Sequence, residues 1–70
     1  MNIDQLVTMA NQIGFFFKSY TDQEKAKEEI ANHLKKFWAP PMRNQIKEHV
    51  VKDAGKGIEV IVIDAIKKYL

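Results

Sequence analysis

The sequence predicts an all-α protein, a compact bundle of four short helices that forms a single domain over residues 1–70. Three observations carry that expectation. Apolar residues recur at three- and four-residue intervals through most of the chain, which is the period of one helix face. The periodic runs stop at Tyr20–Asp22, Ala39–Pro41 and Gly55–Gly57, where residues that cap or break helices gather. Only the segment around Ile58–Ile63 is dense enough in Ile and Val to suggest a strand, and no second such segment exists to pair with it.

In the first segment Ile3, Leu6, Val7, Ala10, Ile13, Gly14 and Phe17 share one face. Asn2 is placed to cap it, and Asp4 suits the positive end of the helix dipole. Gly14 costs about 1 kcal/mol relative to Ala inside a helix, which suggests that a neighbouring backbone comes close there. The second segment opens on Thr21-Asp-Gln-Glu24. Thr21 as cap and Glu24 three positions later would form a capping box. Its apolar stripe is Ala26, Ile30, Leu34 and Phe37, with His33 at the edge. Trp38 falls about 80° from the centre of that stripe at ~100° per residue, so it is expected to face away from the core.

Pro40 and Pro41 end the second helix and suit the first turn of a third, whose core line is Met42, Ile46 and Val50. Gly55 is placed to take a left-handed cap. The last segment, Ile58 to Leu70, buries Ile58, Ile61, Val62, Ala65, Ile66 and Tyr69 if helical. Phe15, Val60 and Ile63 fall outside these stripes. An exposed apolar patch marks an interaction surface.

A chain of 70 residues buries only about 60% of its unfolded surface, and its core supplies about 3–5 kcal/mol. There is no cysteine, hence no disulfide and no thiolate metal site. The net charge of +2 comes from ten lysines, one arginine and nine acidic residues. Nucleic-acid readers rely on arginine forks, so this balance is a poor footprint for DNA or RNA. No apolar run reaches the ~20 residues that span a bilayer, and the N-terminal residues do not read as a signal peptide. The expected location is the cytoplasm.

No catalytic, cofactor-binding or metal site emerges. His33 and His49 stand apart from each other, each four residues from a carboxylate, Glu29 or Asp53. That spacing reads as a helix-edge pair rather than the three or four converging ligands of a zinc site. Ser19, the only serine, has no histidine near it in sequence, and Gly55-Lys-Gly57 is too short for a phosphate loop. Lys35, Lys36 and Arg43 form a modest basic patch, open to three readings: a solvated face, an acidic protein partner or nucleic acid. The bend His33–Arg43, HLKKFWAPPMR, holds the only tryptophan, both prolines and the only arginine. Tryptophan and arginine are the types most enriched at interface hot spots. Partner contact is therefore expected at Trp38, Pro40, Met42 and Arg43, with Phe15 or Phe16 as secondary anchors, while Phe37 is expected in the core.

The strings MANQIGFFF (Met9–Phe17), IANHLKKFWAPPMR (Ile30–Arg43) and GKGIEVIVIDAI (Gly55–Ile66) resemble the delta subunit of NAD-dependent, molybdenum-containing formate dehydrogenases. The likeness covers most of the chain in one order. It departs at Ala39 and Pro41, where the family often carries an acidic residue before the first proline and a basic one after it. An acidic residue at the first of these positions would cap the third helix, so that helix is expected to start less firmly here. The resemblance implies a cytoplasmic, non-catalytic accessory subunit of an oxidoreductase complex. Its large alpha subunit holds molybdopterin and iron–sulfur clusters and oxidises formate. Other subunits pass electrons through clusters and FMN to NAD. This chain would bind none of these cofactors. It would bind the large catalytic subunit and support assembly, stability or molybdenum-cofactor insertion. Two alternatives stay open: a maturation chaperone that leaves the mature complex, and a small basic helical nucleic-acid-binding protein. In isolation the uncovered apolar groups predict at least a partial homodimer at high concentration.

Overall fold

Asn2 begins the first helix as the sequence predicts, and does so reciprocally. Its side-chain Oδ1 accepts the Gln5 backbone N–H at 2.9 Å, and the Gln5 side-chain Oε1 accepts the Asn2 N–H at 3.3 Å. This capping box satisfies two donors that a helix start would leave bare. The computed structural model describes residues 2–70. Its helices are α1 (Ile3–Phe17), α2 (Gln23–Phe37), α3 (Pro40–Asp53) and α4 (Val60–Tyr69), so the all-α expectation holds, with four helices packed on one another. No described helix is long and apolar enough to cross a membrane.

The core is assembled from every element. Leu6 and Ala10 come from α1, Ile30 and Leu34 from α2, Ile46 and Val50 from α3, and Val62, Ala65 and Ile66 from α4. Ile58, just before α4, joins them, so that helix is shorter than the Ile58–Leu70 span expected. Gly14 is buried against α4, and a Cβ at that position would overlap a methyl group of Val62. The close approach is thus to a side chain, not to the neighbouring backbone that the sequence suggested.

The start of α2 differs from expectation by one residue. Asp22, not Thr21, is the cap, and its carboxylate accepts the Lys25 N–H at 3.1 Å. A carboxylate caps as well as a hydroxyl. The shift takes Glu24 out of a capping box and turns it towards α4. There it accepts hydrogen bonds from the Tyr69 hydroxyl at 2.6 Å and the Lys68 ammonium at 2.9 Å. α3 begins at Pro40 with Ala39 as its cap residue and no side-chain cap, consistent with the weak start inferred from Ala39. It ends with Ala54 (φ 55°) and Gly55 (φ 69°) both left-handed, so the cap falls first on an alanine and Gly55 extends the turn. Gly55 is buried, and a Cβ there would lie 2.8 Å from Ile63 Cδ1. Ile63, expected on the outer face of the last helix, is half-buried against the core.

An aromatic groove across three helices

Trp38 decides the shape of the bend. Expected to face outward, it is only 5% exposed and belongs to the core. The helical wheel fails there because α2 stops at Phe37, and Trp38 adopts an extended conformation (φ −91°, ψ 134°) that swings the indole back over the core. Phe37 pays the opposite way: expected inside, it is 71% exposed. Ala31, seven residues before Trp38, is fully buried. It forms one edge of the buried arc, which widens towards Trp38 through a small residue that is easily overlooked.

With Trp38 as part of its wall, a groove of about 500 Å³ opens between α1, α2 and the start of α3. On one side stand Met9, Gln12, Ile13 and Phe16 of α1, an i, i+3, i+4, i+7 row along one helix face. His33 and Phe37, one turn apart on α2, stand on the other, and Met42 closes the α3 end. Phe17 ties the walls together. Its ring meets Phe16 edge-on at 4.9 Å between centroids and lies 6.4 Å from the His33 ring. His33 in turn lies 4.7 Å from Phe37. Edge-on aromatic pairs at these separations are favourable, so the exposed rings are held rather than loose. Phe16, like Phe37, is 71% exposed.

Several polar groups around the groove have structural duties. The Arg43 guanidinium donates to the Lys35 carbonyl oxygen at 2.7 Å, satisfying an acceptor that the end of α2 leaves without an intrahelical partner. His49 lies away from the groove. Its Nδ1 is 3.4 Å from Asp53 and its Nε2 is 2.7 Å from the Lys56 carbonyl. A carbonyl only accepts, so Nε2 carries the proton of that bond. Asn11, on another face of α1, donates from Nδ2 to the Gly57 carbonyl and accepts the Glu59 N–H at Oδ1, both at 2.9 Å. It holds the turn that launches α4, which has no side-chain cap of its own. Among the described residues no three His, Cys, Asp or Glu side chains converge to hold a metal ion.

The family model of the NADH-dependent formate dehydrogenase delta subunit, FdsD, matches residues 5–66. The chain belongs to that family. The match runs from the first turn of α1 to Ile66 of α4 and so takes in the whole groove and the Asn11 bridge. No curated protein and no solved structure matches the chain. Of the residues singled out for partner contact in this delta-family chain, Phe16, Trp38 and Met42 line the groove. Pro40 opens α3 beside it, and Arg43 is half-buried in its bond to α2. Phe15, 70% exposed, stands apart on a smaller hollow with Gly14, Lys18 and Ile61, its ring 4.4 Å beneath the Lys18 ammonium. Sequence reasoning missed His33 and Phe37 as groove walls. The available signal was their i, i+4 spacing at the edge of the α2 stripe, facing the Phe17 edge of α1.

Proposed function

We propose that this chain is a non-catalytic accessory subunit that docks on the large catalytic subunit of its formate dehydrogenase and supports assembly, stability or molybdenum-cofactor insertion. Membership of the delta family supplies the complex. The observation that carries the docking role is the groove, in which Phe16 and Phe37 stand exposed over an apolar floor. A small bundle with spare aromatic surface gains by covering it with a larger partner. Molybdopterin, the iron–sulfur clusters, FMN and the NAD site then belong to the other subunits, and the contribution of this chain is contact.

The test is a titration of the purified large subunit with wild-type protein and with the Phe16→Ala/Phe37→Ala double variant. Truncating two hot-spot rings costs about 2 kcal/mol or more, a loss of at least about thirtyfold in affinity. Both rings are largely in water, so the isolated variant keeps its helical content. Unchanged affinity would exclude the groove, and no binding by the wild type would exclude the docking role.

A further inference from the structure

We infer that the groove seats a short amphipathic helix of the large subunit, apolar side down, whose carboxylates land on Lys36 and the neighbouring Arg43. This rests on the docking role above and adds the kind of element that fills the site. The α1 wall is a row of residues at i, i+3, i+4 and i+7, which runs for about 10 Å at 1.5 Å per residue. The opposite wall is an i, i+4 pair. Two such ridges flanking an apolar floor are the seat into which the side-chain ridge of a third helix packs. Met9 and Met42 in the lining are flexible enough to adapt to its side chains.

Charge selects the occupant. No carboxylate lines the groove. The nearest acidic residue along the His33 face of α2, Glu29, is engaged by Lys25 at 3.5 Å. Lys18, Lys35, Lys36, Lys47, Lys56 and Lys67 make no ion pair among the described residues. Of these, Lys36 is exposed in the last turn of α2 three residues after His33 and so shares its side of the helix, whereas Lys35 falls on the opposite face. The Arg43 guanidinium, bonded to the Lys35 carbonyl at the end of α2, adds a second positive charge. An apolar trough with uncompensated cations at one end attracts a helix with an acidic end and repels a basic one.

The experiment measures affinity for the purified large subunit with wild type, Lys36→Glu, Phe37→Ala and, as a control on the far helix, Lys67→Glu. The expected result is a loss of at least about tenfold for Lys36→Glu and for Phe37→Ala, and a change under about twofold for Lys67→Glu. Wild-type affinity should also fall as salt rises from about 50 to about 500 mM. This second reading does not depend on any substitution. Hydrogen exchange on the large subunit should then show protection of one helix bearing acidic residues. Full binding that ignores salt, Lys36 and Phe37 would overturn the inference and leave the docking role standing. Protection spread over a loop or sheet edge would do the same. Failure of the wild type to bind would remove both. Sedimentation showing a homodimer that Phe37→Ala abolishes, with no competition from the large subunit, would give the groove to a second copy of this chain instead.

Discussion

At Gly14 the absence of one methyl group decides how closely α4 can lie on α1. The residue opposite, Val62, is fully buried, and a β-branched side chain in a helix has essentially one χ1 rotamer. It cannot turn away from an added Cβ. Gly14→Ala would gain about 1 kcal/mol of helix propensity but force overpacking that costs about 1–3 kcal/mol. We expect net destabilisation of about 1 kcal/mol, read as a lower midpoint in urea. Val62→Ala opens the space the new methyl needs. In the double variant the two losses should therefore add to less than their sum by about 1 kcal/mol, and strict additivity would show that the contact is not what glycine serves. Trp38 makes the complementary point at this scale. Its residue type was informative, but its orientation was not, because one residue of extended backbone after Phe37 overrode the helical period.

Among the elements, α3 and α4 both start without a side-chain cap, and α3 lacks the brace that Asn11 gives the turn before α4. Ala39 has the extended backbone of a cap residue (φ −63°, ψ 150°) but no side chain to accept a hydrogen bond. Ala39→Asp supplies the acceptor and a charge that suits the helix dipole. It should stabilise the protein by about 1 kcal/mol, raising the thermal midpoint by about 4–8 °C for a domain of this size; an unchanged midpoint would mean that solvent already satisfies those amides. The helices themselves were legible in the sequence. Asn2, the Pro40–Pro41 pair and the Gly55 turn punctuate the chain where the breaks fall, and apolar spacing fills the intervals. The groove was only half legible. Phe16, Trp38 and Met42 could be named from residue type, but His33 and Phe37 reach it through the way α2 lies against α1, which is a tertiary outcome. The cap of α2 was misjudged between two adjacent acceptors, Thr21 and Asp22, either of which has suitable chemistry.

For the whole molecule, the Glu24 cluster fastens the second helix to the last one, and it makes stability depend on acid. The Tyr69 hydroxyl and the Lys68 ammonium hydrogen-bond to the Glu24 carboxylate, with help from Lys27, and outweigh desolvation to lower its pKa from 4.5 to about 2. A carboxyl group whose pKa is depressed by folding stabilises the fold above its unfolded value, and that stabilisation disappears as pH falls from 4.5 towards about 2. Tyr69→Phe removes the largest cause. The variant should lose stability at neutral pH and show a shallower decline through that acid window, measured by urea midpoints at several pH values; a decline as steep as in the wild type would assign the acid sensitivity to other carboxylates. The Asn11 bridge works at the same scale but bears on timing. Its two bonds join positions 46 and 48 residues apart, so during synthesis the amide on the first helix stays hydrated until the launching turn of the last has emerged. The latch that aligns α4 is laid down early and can shut only once Gly57 and Glu59 have been made, which leaves a nascent chain open along its α4-facing side until then.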